Sequence, residues 1–143
     1  KRRAPSTLVE AKFSLPFLVA VAAVHRDVKL SAFTVQAMQD PSVLDVASKV
    51  VPIEDRRLDW KLELPAGRVE IVTKDGCCFE RVGTNLPGSA DSPMTWEDLL
   101  NKVKDCASNA ATPRSSEQIE MVLGMVRNLE TMGDATEVLR ALS

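Results

Sequence analysis

The sequence is almost continuously apolar from residue 11 to residue 24, and its longest apolar stretch covers residues 15–24. Ser14 is well placed to cap a helix here, and Pro16 is tolerated in a first turn because its missing N–H has no partner to lose. The pattern predicts a helix from residue 15 to about residue 25. Since it is apolar nearly all round, we expect it to be buried on most sides. Residues 1–10 lack periodicity and predict a loop or tail.

Two short helices are predicted next. Ser31 can cap residues 32–38, and Asp40-Pro41 provides a cap and a first-turn proline for a helix through Lys49. A short strand is predicted over residues 50–53. Residues 54–64 are ambiguous because apolar and charged side chains alternate with strand period after a loop-like EDRR stretch. The alternating apolar residues are Leu58, Trp60, Leu62 and Leu64.

The strongest strand signal lies in residues 68–82. Two runs rich in strand-forming residues, VEIVT and CCFERV, flank Lys74-Asp75-Gly76. An Asp-Gly pair between such runs is typical of a type I′ hairpin turn, in which both central residues need positive φ. The pattern therefore predicts a β-hairpin closed by a type I′ turn.

The remaining third of the chain has helical signals. A Pro/Gly/Ser loop over residues 84–93 precedes a capping box, Thr95 to Asp98, that opens a helix to about residue 110. A second capping box, Ser115 to Gln118, opens a helix to about residue 132, and a last helix is predicted over residues 135–142. The order of elements predicts an α+β fold: a small antiparallel sheet with a central hairpin, packed by flanking helices at both ends.

The penultimate helix is unusually apolar. On a helical wheel that starts at Ile119, its apolar residues fill an arc of about 200°, whereas about 100° covers a single core. These residues are Met121, Val122, Leu123, Met125, Val126, Leu129 and Met132. Such a helix needs partners on two sides, and an uncovered second face drives association. We therefore expect a homodimer.

Composition excludes several classes of partner. The 143 residues suit about one domain, and the formal net charge of −2 gives no field that would recruit nucleic acid or anionic lipid. No apolar stretch reaches the roughly 20 residues of a membrane helix. We therefore predict neither a nucleic-acid partner nor a membrane partner.

The cysteines point to a reducing compartment. Cys77, Cys78 and Cys106 are an odd set with two adjacent members, which makes a poor disulfide framework. His25 is the only histidine and no CxxC occurs, so a Cys/His zinc site cannot be assembled. We expect reduced cysteines, a cytoplasmic location and no metal site.

Familiar catalytic signatures are missing from the sequence. GxGxxG, P-loop, GxSxG and HExxH motifs do not occur, and the chain has no tyrosine. His25 ends the first long helix, where a cation interacts favourably with the helix dipole. We assign no catalytic residue and no cofactor. Two segments stay open: the loop of residues 86–93, and residues 10–17, where Lys12 before a helix N-terminus favours a carboxylate ligand. A plain N-cap with a solvated lysine is the alternative for the second segment.

Several blocks in order resemble the C-terminal half of MmgE/PrpD-family proteins. They are EAKFSLPFLVAVAAVHRDVKLSAF, DPSVLDVASKV, the VEIVTKDG hairpin, LPGSADSPMTWEDLLNKVKDCA and the final EQIEMVLGMVRNLE helix. The family includes 2-methylcitrate dehydratase, cis-aconitate decarboxylase and an iminodisuccinate epimerase. The resemblance runs from about residue 5 to the end of the chain.

Membership would imply a two-domain subunit with a large helical domain and a smaller α+β lid inserted before the last helices. Residues 1–110 would then be a lid-like domain, and residues 111–143 would be helices that pack on the helical domain. The implied chemistry is cofactor-free proton transfer next to a carboxylate of a di- or tricarboxylate, followed by loss of water or carbon dioxide, or by inversion. Most acid/base residues of the family lie upstream, so the isolated chain is expected to be inactive.

The resemblance implies that the EAK-x-S-x-x-aromatic segment faces the substrate cleft. The candidate substrate-binding residues are therefore Lys12, Phe13, Ser14 and Phe17. Family members often have tyrosine where this chain has Phe17, and we expect Phe17→Tyr to keep the fold and change kcat. The alternative function is a stand-alone α+β binding or protein-interaction module derived from the same fold. The reading frame upstream of Lys1 would discriminate the two.

Overall fold

A computed structural model describes residues 3–55, 67–83 and 86–142. The helices in these ranges are α1 (Leu8–Lys12), α2 (Leu15–His25), α3 (Pro41–Lys49), α4 (Trp96–Ser108), α5 (Ser116–Arg127) and α6 (Thr136–Ala141). Strands β1 (Gly67–Val72) and β2 (Cys78–Gly83) form a two-stranded antiparallel sheet between them. The predicted α+β fold, a hairpin flanked by helices at both ends, is confirmed.

The chain forms two compact units. One consists of residues 1–52 and 99–143, and the other of residues 53–98. The first unit contains α1, α2, α3, α5 and α6 together with most of α4, and the second contains the hairpin. The sequence-based boundary near residue 110 concerns the arrangement of a whole family protein and stays a prediction.

Helix α2 starts and ends as predicted. The Ser14 side chain accepts a hydrogen bond from the Phe17 N–H (3.2 Å), and Arg26 closes the helix in the left-handed region with φ 59°. We expected most sides of α2 to be buried, and this holds for only part of its surface. Phe17, Ala20 and Val21 are buried, whereas Leu15 is 57% exposed, because α1 and α3 cover one side of α2.

The core of the first unit lies where α2 packs against α3. Its buried residues are Ala11, Phe17, Ala20, Val21, Met38, Val43 and Ala47. The Asp40 side chain caps α3 by accepting from the Ser42 N–H (2.8 Å), as the Asp-Pro pair predicts. Burial of these apolar side chains is the main stabilising contribution to this unit.

Three sequence predictions for the first 53 residues were wrong. Residues 8–12 form helix α1 and not a tail, because the Thr7 hydroxyl accepts from the Glu10 N–H (3.1 Å) and caps this turn. Two 3₁₀ turns (Leu30–Phe33 and Ala37–Gln39) replace the helix predicted over residues 32–38. Residues 50–53 form no strand. The alternating pattern over residues 58–64 lies outside the described residues.

The hairpin is confirmed, but its turn differs from the prediction. The strands pair from Gly67 opposite Gly83 to Val72 opposite Cys78. The Gly76 N–H donates to the Thr73 carbonyl (3.0 Å), and Gly76 has φ 85°. Asp75 does not have positive φ, so the type I′ turn is wrong. One left-handed glycine is enough because the loop between the strands is longer than two residues.

The last helices begin as predicted and end earlier. The Ser115 side chain caps α5 by accepting from the Gln118 backbone N–H (3.1 Å). The Gln118 side-chain amide donates to the Ala141 carbonyl (2.6 Å). The Gln118 side chain therefore ties α5 to the end of α6. Helix α5 ends at Arg127 and not near residue 132, since a 3₁₀ turn (Leu129–Thr131) follows it.

The capping box at α4 predicts an acid-sensitive contribution to stability. Asp98 accepts from the Thr95 N–H (2.8 Å) and hydroxyl (2.6 Å), and these bonds lower the pKa of Asp98. Because the folded pKa lies below the unfolded value near 3.9, this contribution is present above about pH 4 and is lost as pH falls through the folded pKa. Asp98→Asn should therefore flatten the loss of stability between about pH 5 and pH 2.

Urea unfolding at several pH values measures this slope for the wild type, for Asp98→Asn and for the control Asp91→Asn in the neighbouring loop. Equal slopes for Asp98→Asn and the wild type would contradict the prediction. The flattening should be partial, because the pKa values of Asp40, Asp75 and Asp134 are also lowered, each chiefly by a side-chain hydroxyl.

Candidate functional site

The four candidate residues lie at the corner between α1 and α2. Lys12 is the last residue of α1, Phe13 follows it, and Ser14 is the N-cap of α2. The Phe13 N–H donates to the Val9 carbonyl (3.2 Å), and the Ser14 N–H donates to the Ala11 carbonyl (3.3 Å). Both bonds fix the backbone of the corner to α1, so the Lys12 and Phe13 side chains project from a defined backbone position.

The structure divides the four residues into two pairs. Lys12 is exposed and Phe13 is 74% exposed. Ser14 and Phe17 have no exposed surface, and the Ser14 hydroxyl accepts from the Phe17 N–H. Lys12 and Phe13 can therefore contact a ligand directly, whereas Ser14 and Phe17 hold the corner from inside.

The burial of Phe17 changes the expectation for Phe17→Tyr. Phe17 belongs to a buried cluster of apolar side chains that includes Val21, Met38 and Val43. A buried hydroxyl without a hydrogen-bond partner costs about 1–3 kcal/mol. We therefore expect Phe17→Tyr to destabilise this unit, in contrast to the unchanged folding expected from the sequence.

Exposed apolar residues flank Lys12 in the sequence. Val9 is 66% exposed and Leu15 is 57% exposed, and they come before and after Phe13 along the chain. Glu10, the nearest acidic residue in sequence, accepts from the Ser6 N–H (2.8 Å) and hydroxyl (2.7 Å). The corner thus combines one cation with apolar side chains, an arrangement that can bind a carboxylate and pack against its carbon skeleton.

The first turn of α2 contributes little to anion binding. Pro16 has no N–H, and the Phe17 N–H is already bonded to Ser14. A helix N-terminus binds an anion through the free N–H groups of its first turn, and two of these positions therefore cannot donate. An anion at the corner would therefore be held mainly by the Lys12 ammonium group.

His25 lies at the opposite end of α2 from the corner. Its Nε2 is 3.7 Å from Asp40 Oδ2 at the start of α3, and its side chain is half-exposed. Eleven helical residues separate the ends of α2 by about 16 Å. His25 therefore cannot act on a ligand held by Lys12, and it bridges the end of α2 to the cap of α3.

The cysteines and acidic residues in the part of the chain that the structure describes form no cluster of metal ligands. Among the described residues, no group of three or more His, Cys, Asp and Glu side chains could hold a metal ion. Cys77, Cys78 and Cys106 are exposed and unpaired with one another. Partial desolvation and then the Glu70 carboxylate raise the pKa of Cys78, which makes its thiol less reactive. None of the described helices is long and apolar enough to cross a membrane.

The loop before α4 is a tight turn. The Gly88 N–H donates to the Ser92 carbonyl (2.7 Å), and Gly88 has φ 91°. Ser89 and Ser92 are half-buried. The loop belongs to the second compact unit, and its backbone bonds account for its shape without a ligand.

Comparison with known proteins supplies the family. The pattern of the MmgE/PrpD C-terminal domain matches residues 1–127, which include α1, the Lys12 corner, the hairpin and α5. The chain belongs to the MmgE/PrpD family. The sequence resemblance is thereby confirmed.

Two MmgE/PrpD relatives can be compared along the whole chain. A cis-aconitate decarboxylase-like protein, oryM, of Aspergillus oryzae is 24% identical over 139 residues, which is 97% of this chain and 28% of that protein. Cis-aconitate decarboxylase of Mus musculus is 24% identical over 148 residues, covering 96% of this chain and 28% of that protein. The chain therefore spans just over a quarter of the length of these relatives.

Sequence reasoning named the corner but missed the helix that builds it. The signal was present in Thr7-x-x-Glu10, a capping-box spacing before an apolar segment. This cap is present in the structure, since the Thr7 hydroxyl accepts a hydrogen bond from the Glu10 N–H. Helix α1 places Lys12 at its C-terminus, where a cation also interacts favourably with the helix dipole.

Proposed function

We propose that this chain is the C-terminal, lid part of a cofactor-free MmgE/PrpD lyase or isomerase that acts on a di- or tricarboxylate. The observation that carries the proposal is the corner at Lys12 and Phe13, a cation and an aromatic ring exposed side by side on a hydrogen-bonded backbone. In this proposal residues 1–110 cover the substrate cleft, and residues 111–143 pack on a helical domain.

Each corner residue has one role in the proposal. The Lys12 ammonium binds a substrate carboxylate, and the Phe13 ring packs against the substrate carbons and excludes water. Ser14 and Phe17 position the corner through the N-cap hydrogen bond and the core. Water exclusion strengthens the attraction between Lys12 and the carboxylate, because the effective dielectric constant falls.

Proton transfer next to the carboxylate needs an acid and a base within hydrogen-bond reach. Near the corner, the described residues offer Lys12, while Glu10 is held by Ser6 and His25 lies at the far end of α2. The acid and base are therefore assigned to the part of the enzyme outside this chain. In the proposal, this chain binds the substrate and closes the cleft over it.

The proposal includes a cytoplasmic homodimer. The three free cysteines agree with a reducing compartment. Helix α5 buries one apolar side, with Ile119, Val122 and Leu123, and leaves Met121 54% exposed on another. In the full-length protein the helical domain is the partner proposed for the exposed side, and in the isolated chain a second copy takes its place.

Because the acid and base are proposed to lie outside this chain, we expect the isolated chain to have no turnover. Purified chain assayed with 2-methylcitrate, cis-aconitate and iminodisuccinate should give product at the rate of the buffer alone. The same assay on the full-length protein should show loss of water, loss of carbon dioxide or inversion on one of these substrates. Activity of the isolated chain that survives further purification, or inactivity of the full-length protein on all carboxylates tried, would contradict the proposal.

A further inference from the structure

A side chain of α4 reaches a backbone group far away in the sequence. Asp105 Oδ2 accepts a hydrogen bond from the Leu30 N–H (3.2 Å), across 75 positions of the chain. Both residues belong to the first unit. Asp105 is half-buried, so water screens this charge-assisted bond only in part. The bond therefore fixes the chain where it turns after α2.

The Leu30 N–H is the first donor of the 3₁₀ turn Leu30–Phe33, and this turn has no cap from its own neighbours. Lys29 precedes the turn in an extended conformation, and its side chain makes no capping hydrogen bond. The first N–H groups of a helical turn have no partner within it. Asp105 satisfies one of these groups from α4, and it thus takes the place of a local cap.

The capped turn packs against the helix that carries Lys12. Ala32 and Phe33 in this turn are partly buried against the core cluster, which contains Ala11 of α1. The turn also lies against α1. Helix α1 has five residues, and a helix this short depends on its neighbours for its position. Because Ala11 has no exposed surface and directly precedes Lys12, a shift of the turn is transmitted to the Lys12 corner.

We propose that Asp105 is a positioning residue for the Lys12 corner. Its carboxylate holds the 3₁₀ turn, the turn supports α1, and α1 sets the position from which Lys12 reaches the substrate carboxylate. Asp105 acts through Lys12 and does not touch the substrate. This inference rests on the proposed function, because the position of Lys12 affects KM only if Lys12 binds the substrate.

The kinetics of the full-length protein test this role. Asp105→Ala should raise KM for a carboxylate substrate about three- to tenfold and leave kcat within about twofold, because a displaced Lys12 loses binding that is equal in the ground state and the transition state. Asp105→Asn keeps an oxygen acceptor of the same size, so its KM should stay within about twofold of the wild-type value. The substrates assayed are cis-aconitate, 2-methylcitrate and iminodisuccinate.

A double-mutant cycle separates positioning from a general loss of stability. If Asp105 acts through Lys12, Asp105→Ala should change the KM of Lys12→Ala by less than about twofold. Lys104→Ala is the matched control on α4, since the Lys104 Nζ donates to Glu120 Oε1 (3.2 Å) on α5 and not to the 3₁₀ turn. This control should leave KM unchanged. Additive effects of Asp105→Ala and Lys12→Ala, or an equal rise for Lys104→Ala, would overturn the proposal.

Removal of the donor tests the same bond from its other end. Leu30→Pro eliminates the N–H, and the backbone suits proline because Leu30 starts the 3₁₀ turn and Lys29 before it is extended (φ −94°, ψ 166°). Its KM should rise by the same factor as that of Asp105→Ala, so it decides the question if Asp105→Ala fails to fold. Leu30→Ala keeps the N–H and is the control for the lost side chain. Equal KM values for Leu30→Pro and Leu30→Ala would contradict the positioning role.

Amide hydrogen exchange tests the same link without turnover. The Phe13 and Ser14 N–H groups donate to carbonyls of α1, so their exchange rates report how firmly the corner is held. Asp105→Ala should speed both rates in the chain about three- to tenfold, whereas Lys104→Ala should leave them unchanged. Wild-type exchange rates in Asp105→Ala would show that Asp105 does not hold the corner.

Failure of this inference differs from failure of the lid function. If Lys12→Ala raises KM while Asp105→Ala does not, the lid function stands and the positioning role is wrong. If the full-length protein is inactive on all three substrates, or if Lys12→Ala leaves KM unchanged, the lid function is wrong. The exchange rates then still decide whether Asp105 holds the corner.

Discussion

Phe17→Ala should lower the free energy of unfolding by about 3–5 kcal/mol. Phe17 has no exposed surface and is one of the largest buried side chains in the described residues. Its removal leaves a cavity between α2 and α3 that small neighbours such as Ala20 and Ala47 cannot fill. A loss of this size is a large share of the roughly 5–15 kcal/mol typical of a domain. Urea unfolding of the full chain is the measurement.

Phe13→Ala provides the matched control, since it removes the same ring four residues earlier. The Phe13 ring is 74% exposed, so the loss should be within about 0.5 kcal/mol. Phe17→Leu keeps most of the volume and should cost about 1–2 kcal/mol, which remains measurable if Phe17→Ala fails to fold. Similar losses for Phe13→Ala and Phe17→Ala would show that the ring of Phe17 does not hold the core.

Lys12→Ala should lower kcat/KM of the full-length protein for a carboxylate substrate by about 10- to 100-fold. The expected size follows from a hydrogen bond to a charged group, worth about 1.5–3 kcal/mol. The change should lie mainly in KM, because Lys12 is proposed to bind a carboxylate that stays charged throughout the reaction. Lys12→Arg should keep part of the affinity, since the charge is retained.

Lys29→Ala is the control for a general loss of positive charge. Lys29 is also exposed, and its Nζ lies 3.5 Å from Asp27 Oδ2. It should leave KM unchanged. A Lys12→Ala enzyme with wild-type KM on every substrate that the wild type turns over would remove Lys12 from the substrate site.

The sequence predicted best the features that a few neighbouring residues determine. Ser14, Asp40, Thr95 and Ser115 each accept the backbone hydrogen bond expected of a cap. The Asp-Gly pair likewise marked the hairpin. In each case a short polar side chain or a glycine satisfies a local backbone requirement, so no distant contact had to be known.

Features that depend on distant contacts were predicted less well. The end of helix α5 was also predicted too late, although it is a local feature in which the Asn128 N–H donates to the Gly124 and Met125 carbonyls. The helix expected over residues 32–38 is replaced by 3₁₀ turns, one of which buries Met38 in the core. Tertiary packing overrides helix propensity at such places.

The residues of the candidate site were named from the sequence, but the sequence did not show which of them are buried and which are exposed. The pattern placed Lys12, Phe13, Ser14 and Phe17 in one segment and gave them one role. Helix α1, which sets the direction of the corner, was predicted as a tail. Without it, periodicity cannot show that Phe13 points to solvent while Phe17 points into the core.

The helix caps have a consequence for how the chain folds. Thr7, Ser14, Asp40, Thr95 and Ser115 each bond to a backbone N–H only two or three residues away. The first turn of these helices therefore forms without closing a long loop of chain, whose entropy cost grows with loop length. Nucleation is the unfavourable step in making a helix, and a cap reduces it locally. The first turns of these helices can thus form transiently before α2 meets α3, and the packing of α2 on α3 then makes them persistent.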